Sequence, residues 1–408
     1  MKSNKSLSAP QAFNNYCSRP WSELHIEEDG QVTPCCVMPS NRFPMGNSVK
    51  EYLQGEPLKE LKQSFLENRK HPSCEYCWEA ERNNLHTHRV DKAPSSEKTI
   101  EKVHIRLNNV CNFKCRMCNP NFSTTWAIEN KKHKYFTFDD TDTETNAFKK
   151  DPTLLPLLKH LISSGHLACI NVSGGEPLIT DANYDMLTYL IDNNCTDVQI
   201  VYSTNLSMLQ YKKHDLKDLW AKFKKVELLV SCDGWGPSVE YSRTGFSTKT
   251  FVKNIQEVFD YVSAVVCVVN NYSVWSIPKQ LSIFDKLGKS VTLSPCFLPS
   301  FLSPQILPRE LKQEIKKMYS HDPRLTELYN NYIDKDVNLS LEYHSDANEP
   351  DTDVDELKYF IDYSMMLDKF RDTDFFETFP EYEPYRKLTN TPPKFHDSVM
   401  QSLKELNL

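Results

Sequence analysis

The chain has 408 residues, of which 39% are hydrophobic and 25% are charged, so it can bury a core and is neither wholly disordered nor fibrous. Its length predicts two or three domains. Lysine and arginine number 48 against 55 aspartate and glutamate, and the net charge of −7 gives no general reason to bind nucleic acid or an anionic membrane surface.

The sequence contains no run of about 18 apolar residues, and its first residues lack the apolar segment that directs secretion. We therefore expect a protein of the reducing cytoplasm that does not enter a membrane. The chain has 13 cysteines, and in that compartment cysteines favour metal binding or redox chemistry over disulfides.

Short apolar strands alternate with helical stretches through the middle of the chain, after a polar, linker-like stretch at 91–98. Strands are predicted at 102–107, 168–173, 197–203, 225–232, 263–269 and 290–296, and helices near 153–164, 181–193, 214–223, 249–261 and 276–287. Six such units imply an α/β fold with a parallel sheet, open or partly closed into a barrel. Ligands of such sheets bind at the C-terminal ends of the strands.

The remaining segments complete a three-part organisation. Two acidic stretches, 131–151 and 344–356, are predicted to be solvated loops, and the residues after 305 are mostly helical in pattern, for example 354–370. The sequence thus predicts a cysteine-rich N-terminal module at 1–95, a core at 96–300 and a mainly helical C-terminal region at 301–408. We expect the isolated cysteines of the core to be buried free thiols; these are Cys169, Cys195, Cys232, Cys267 and Cys296.

A tight cysteine motif follows the first core strand, where Cys111, Cys115 and Cys118 have the spacing C-x3-C-x2-C. Three thiolates on one short loop can hold three irons of a [4Fe–4S] cubane and leave the fourth iron open to an outside ligand. The next 14 residues contain no further cysteine or histidine, so a closed zinc site cannot be completed locally.

This spacing resembles the motif of the radical S-adenosylmethionine (SAM) superfamily, although Met117 stands where that family usually has an aromatic residue. Three segments at successive strand ends are also similar to family motifs: NVSGGEP at 171–177, STN at 203–205 and VSCDG at 230–234. The resemblance implies a partial (β/α)6 barrel of the TIM type, with SAM on the open iron. It further implies that SAM is cleaved to a 5′-deoxyadenosyl radical, which abstracts hydrogen from a substrate.

The resemblance also assigns the residues that contact SAM. These are Gly174, Gly175, Glu176, Thr204, Ser231 and Arg243. The glycines would allow close backbone approach, Glu176 would accept from the SAM ammonium group, and Arg243 would pair with its carboxylate. The hydroxyls would contact the ribose. The alternative is an ordinary turn with helix-capping residues, and Asp233 is either a base near the substrate or another cap.

A second set of cysteines, in the first 80 residues, has enough thiolates to close one metal site. The set is Cys17, Cys35, Cys74 and Cys77. A hairpin turn predicted at 28–30 would bring Cys17 toward Cys35. The pattern resembles the SPASM and twitch auxiliary-cluster domains, which usually follow the barrel rather than precede it. Zinc would suit four thiolates nearly as well, and Cys36 is an alternative to Cys35 because neighbouring residues in a strand point opposite ways.

The sequence therefore predicts a radical SAM enzyme with an auxiliary [4Fe–4S] cluster that accepts an electron after hydrogen abstraction or binds the substrate. The substrate would be a peptide or protein residue or a small molecule, and the electron donor a protein such as flavodoxin or ferredoxin. The alternative is a non-catalytic iron–sulfur or zinc protein of electron transfer or assembly, which would need no SAM pocket.

Overall fold

The computed structural model describes residues 15–38, 43–82, 87, 89, 100–134, 144–297, 299–336 and 355–390. The linker predicted at 91–98 and nearly all of the acidic stretch at 344–356 lie outside these residues. Within the described ranges, no helix combines the length and the apolar character needed to cross a membrane.

Most of the strands belong to a single mixed sheet. The strands are β1 Glu23–Ile26, β2 Val32–Thr33, β3 Lys102–Arg106, β4 Lys114–Cys115, β5 Cys169–Ser173, β6 Gln199–Thr204, β7 Gln210–Tyr211, β8 His214–Asp215, β9 Lys225–Ser231, β10 Arg243–Thr244, β11 Val262–Val269 and β12 Ser290–Pro295. Eight of them form the sheet, in the spatial order β12–β11–β9–β6–β5–β3–β1–β2. The other four form two short ribbons, β10 with β4 and β7 with β8.

The six core strands predicted from the sequence are confirmed as β3, β5, β6, β9, β11 and β12, and every neighbouring pair among them is parallel. Their buried positions are rich in valine and isoleucine, which fit a sheet covered by helices. Because β12 and β2 lie at the two edges of the described sheet, the strands form a partial barrel rather than a closed one.

The N-terminal hairpin extends this sheet, which the sequence did not indicate. The turn at 28–30 is confirmed: Ile26 pairs with Val32 across β1 and β2, and Gly30 takes a φ of +90°. β1 then runs parallel to β3, with His25 beside His104. The cysteine-rich module therefore supplies a seventh parallel strand, with its C-terminal end at the same edge as those of the core strands.

Helices cover one face of the sheet and build the C-terminal region. They are α1 Arg19–Ser22, α2 Val49–Gln54, α3 Glu56–Leu66, α4 Glu75–Arg82, α5 Thr124–His133, α6 Ala147–Lys150, α7 Leu154–Ser163, α8 Asp181–Asp192, α9 Leu216–Trp220, α10 Pro237–Ser242, α11 Thr248–Glu257, α12 Ile277–Lys286, α13 Arg309–Tyr319, α14 Pro323–Leu328, α15 Glu356–Arg371 and α16 Phe375–Thr378. The helix predicted at 354–370 is confirmed as α15.

Two hydrophobic cores hold these elements together. The first joins the N-terminal module, through residues such as Leu24 and Phe65, to the strands from β3 to β9. The second joins the end of β11 and α12 to the C-terminal helices, with Phe360 and Phe375 at its centre. Thus the C-terminal region packs against one end of the sheet, and the N-terminal module packs against the other.

The opposite face of the sheet is polar beside β1. In β3, Val103 and Ile105 are fully buried in the core, while His104 and Arg106 alternate with them on the other face. Register places Asn171 beside His104. This polar face leads to the C-terminal strand ends, where the cysteine motif begins.

Candidate functional site

The loop that carries Cys111, Cys115 and Cys118 is fixed by the start of α5. The Ser123 hydroxyl donates to the carbonyl of Phe113 at 2.7 Å, and the Thr125 hydroxyl donates to that of Cys111 at 2.8 Å. The indole N–H of Trp126 donates to the carbonyl of Cys115 at 3.0 Å. The backbone between the cysteines is therefore held by these side chains as well as by the short β4–β10 ribbon.

The three thiols are free, partly buried and close enough to influence one another. Burial raises the pKa of Cys118 to about 12, and the nearby Cys115 acts in the same direction. Burial and Cys115 also raise the pKa of Cys111. Three thiolates in this setting need compensating positive charge, which iron would supply. The donor set therefore fits the cluster predicted from the spacing.

Gly174 and Gly175, the glycines of the NVSGGEP motif, pack against the backbone that joins β3 to the cysteine loop. A Cβ on Gly175 would lie 2.2 Å from the carbonyl oxygen of Val110, and one on Gly174, whose φ is +141°, would lie 2.6 Å from that of Asn108. The Gly175 amide donates to the Asn108 carbonyl at 2.7 Å. Close approach to the cysteine loop thus explains both glycines, and their contact with SAM stays a prediction.

Glu176 and Thr204 are brought together and bind each other. The Thr204 hydroxyl and the Asn205 amide each donate to the Glu176 carboxylate at 2.6 Å, and the Leu178 amide donates at 3.0 Å. Glu176 is 1% exposed, and burial raises its pKa to about 7 despite these donors. The contact with Leu178 is the cap of a short turn, as the alternative interpretation expects. A role of either residue toward SAM stays a prediction.

Arg243 lies beside the cysteine loop. In the β4–β10 ribbon it is the partner of Cys115, and its Nε donates to Asp233 Oδ2 at 2.8 Å. Asp233 is fully buried and also accepts from the Val268 amide at 2.7 Å. Asp233 therefore orients Arg243 and ties it to β11, which is neither of the roles considered for it from the sequence. Ser231 is the last residue of β9.

Hydrogen bonds join helix α15 to the cysteine loop, and the sequence did not predict these contacts. Nη1 of Arg116 donates to the Ser364 carbonyl at 2.9 Å, and Nη2 donates to Asp368 at 2.6 Å. The Tyr363 hydroxyl donates to the carbonyl of Arg116 at 2.7 Å, and Arg371 Nη1 donates to that of Lys114 at 2.8 Å. We call these contacts the α15 clasp. They fix the segment that links Cys115 to Cys118.

In the N-terminal module, Cys17, Cys35, Cys74 and Cys77 line one small enclosed cavity. None of the four forms a disulfide, and burial, reinforced by Cys77, raises the pKa of Cys74 to about 12. The residues lining this cavity include Cys35 but not Cys36. Among the described residues, no three His, Cys, Asp or Glu side chains are grouped tightly enough for a single metal ion.

Cys36 is not among the residues that line this cavity, and it lies within electrostatic range of charged residues of α1, β1 and β3. Burial raises the pKa of its thiol, and the charges that act on it belong to Arg19, Glu23 and Arg106. The isolated cysteines of the core form no disulfide. Four of them are buried, as expected, whereas Cys169 is only partly buried.

Comparisons with known proteins found a family model and relatives that match parts of the chain. Residues 17–78 match the SPASM family model, described as an iron–sulfur cluster-binding domain. A GTP 3′,8-cyclase of Sulfurimonas denitrificans is 25% identical over 171 residues, 42% of this chain and 46% of that protein. One of Campylobacter lari is 24% identical over 131 residues, 32% of this chain and 35% of that protein. The match thus spans less than half the length of these relatives.

A solved structure was also found, the crystal structure of Streptococcus suis SuiB bound to the precursor peptide SuiA. It has 12% sequence identity and a TM-score of 0.36, over 66% of this chain and 52% of that chain.

Proposed function

We propose that the chain is a radical SAM enzyme with an N-terminal SPASM module, in which Cys111, Cys115 and Cys118 hold a [4Fe–4S] cluster that binds SAM. The observation that carries this proposal is the cysteine loop itself. It presents three free thiols at the C-terminal ends of parallel strands, beside Glu176 and Arg243. This is the edge at which such sheets bind ligands.

The cluster, when bound, supplies the electron that cleaves SAM, so that the resulting radical can remove a hydrogen atom from a substrate. The chain's own part is to hold and orient the reactants. Arg243 beside Cys115 would receive the SAM carboxylate, and the buried Glu176 would accept from its ammonium group. Thr204 and Ser231 would contact the ribose.

We further propose that the cavity lined by Cys17, Cys35, Cys74 and Cys77 holds an auxiliary [4Fe–4S] cluster. The match of this segment to an iron–sulfur domain supports iron over zinc. Because β1 joins the module to the sheet, this cluster would lie near the substrate, where it could accept an electron or bind the substrate directly. A flavodoxin or a ferredoxin would reduce the enzyme.

The test is anaerobic reconstitution with iron and sulfide, followed by dithionite and SAM, with 5′-deoxyadenosine measured by mass spectrometry. We expect the nucleoside from the wild type and from Cys195→Ser, a buried thiol away from both cysteine sets. We expect none from the Cys111/Cys115/Cys118→Ala variant. Absence of the nucleoside in all samples would favour a non-catalytic iron–sulfur or zinc protein.

A further inference from the structure

A polar cluster lies where the N-terminal hairpin joins the barrel sheet, outside the motifs discussed above. Glu23 and His25 of β1 stand beside Lys102 and His104 of β3. Just past the end of β1, Glu27 and Glu28 face Arg106 at the end of β3. The cluster therefore runs along two neighbouring parallel strands to their C-terminal ends, on the face opposite the hydrophobic core.

Two of the three carboxylates in this cluster are matched by strong partners. Arg19 binds Glu23 at 2.6 Å, and His104 lies 3.6 Å from the same carboxylate. Arg106 Nε lies 3.0 Å from one oxygen of Glu27 as an ion pair without a hydrogen bond, and His25 Nε2 is hydrogen-bonded to the other oxygen at 3.0 Å. At the end of β1, the single guanidinium of Arg106 thus faces two carboxylates, those of Glu27 and Glu28.

Glu28 is left over. Its side chain is 11% exposed, its Oε2 forms no hydrogen bond, and Arg106 Nε lies 3.5 Å from that oxygen. Burial raises the pKa of Glu28 to about 7, with Glu27 and Asp29 adding to the effect and Arg106 opposing it. The neighbouring His25 is 4% exposed, and its Nδ1 is also without a hydrogen bond. Buried polar atoms without partners are costly unless something else satisfies them.

The position of the cluster indicates which kind of group could satisfy these buried polar atoms. Arg106 stacks on the ring of Phe122 at 4.3 Å and lies within electrostatic range of both Cys118 and Cys36. Cys118 belongs to the core cysteine set, and Cys36 adjoins Cys35 of the N-terminal set. The cluster therefore lies between the proposed SAM-binding site and the proposed auxiliary site, where a substrate would be held.

We propose that Glu28, together with Glu27 and His25, forms a substrate-anchoring site that binds a protonated amine. The inference rests on the proposed function and names the substrate class for that site. A protonated amine has N–H donors for the free oxygen of Glu28, and its positive charge balances the third carboxylate. An anionic group would meet an excess of negative charge, and a neutral hydroxyl would leave that charge uncompensated.

The test uses the reconstituted full-length protein with n-propylammonium chloride as the probe, sodium chloride and n-propanol as controls, and the thermal midpoint at pH 8 as the readout. We expect propylammonium to raise the midpoint of the wild type above both controls. Glu28→Gln should lose this shift, and Glu28→Asp, which keeps the charge, should retain part of it. Glu227→Gln should keep it in full, because Glu227 lies on β9, paired with Lys225.

The proposal is overturned if propylammonium acts no differently from the controls on the wild type, or if Glu28→Gln shows the same shift as the wild type. Neither SAM cleavage nor substrate turnover enters this readout. A failure to form 5′-deoxyadenosine would therefore refute the proposed function, and an absent amine effect would refute only this inference.

Discussion

Replacing Asp368 by asparagine removes the negative charge that faces Arg116 in the α15 clasp and changes little else in shape. The guanidinium of Arg116 has 0% exposure, and the Asp368 carboxylate lies 2.6 Å away with 12% exposure. Breaking a buried ion pair on one side leaves an uncompensated charge, which costs about 3–5 kcal/mol. We therefore expect Asp368→Asn to lower the free energy of unfolding by that amount.

A surface pair provides the matched control. Arg324 and Asp285 lie 2.7 Å apart, but their side chains are 47% and 48% exposed. Because solvent screens such pairs, Asp285→Asn should cost no more than about 1 kcal/mol. Both variants are measured by anaerobic urea unfolding followed by circular dichroism.

Iron content after reconstitution separates general destabilisation from an effect on the cysteine loop. We expect folded Asp368→Asn to lose iron from the core site and to retain it in the N-terminal module, because Arg116 lies between Cys115 and Cys118. If Asp368→Asn is as stable as Asp285→Asn and binds as much iron as the wild type, the clasp does not position the loop.

Three further predictions concern other parts of the molecule. Gly175→Ala should abolish iron binding at the core site, since its Cβ would collide with the Val110 carbonyl, whereas Gly165→Ala, which is strained by a φ of +73° but meets nothing within 4 Å, should still bind iron. Cys35→Ser should lose the iron of the N-terminal module and Cys36→Ser should keep it, as read from iron analysis of each; the reverse result would exchange the two ligands. Because the pKa of Glu28 rises from 4.5 to about 7, its ionisation opposes folding as the pH rises. Glu28→Gln should therefore gain stability relative to the wild type between pH 4 and pH 7, approaching about 3 kcal/mol in urea unfolding; a constant difference would contradict the assignment.

The core of the fold could be predicted because its signals are local. The apolar runs at 197–203 and 225–232 have the length and composition of covered parallel strands, and β6 and β9 lie there. Likewise, the turn at 28–30 has the residues of a hairpin, and its glycine has a positive φ.

The sequence failed where long-range contacts decide. β1 pairs with β3 across a gap of more than 70 residues, and nothing in its four residues specifies a parallel neighbour. Arg116 and Asp368 are 252 residues apart. The sequence held one hint, because Arg116 lies inside the cysteine motif. No solvent-exposed helix there would account for a charged residue.

For the polar cluster, a signal was present in the alternation of β3. Its sequence, KVHIR, places His104 and Arg106 on one face and two apolar residues on the other, unlike the apolar runs at 197–203 and 225–232. That pattern indicates a polar face at this edge of the sheet. It could not show that Glu28, from another part of the chain, would complete the cluster.

The most direct test of the SAM-binding cluster is electron paramagnetic resonance of the dithionite-reduced Cys17/Cys74→Ala variant, in which the core cluster alone would contribute. If the three thiolates leave one iron open, adding SAM should change the g values of the reduced cluster, because an outside ligand then binds that iron. A spectrum that SAM leaves unchanged, or the absence of any cluster signal in this variant, would contradict the assignment of Cys111, Cys115 and Cys118.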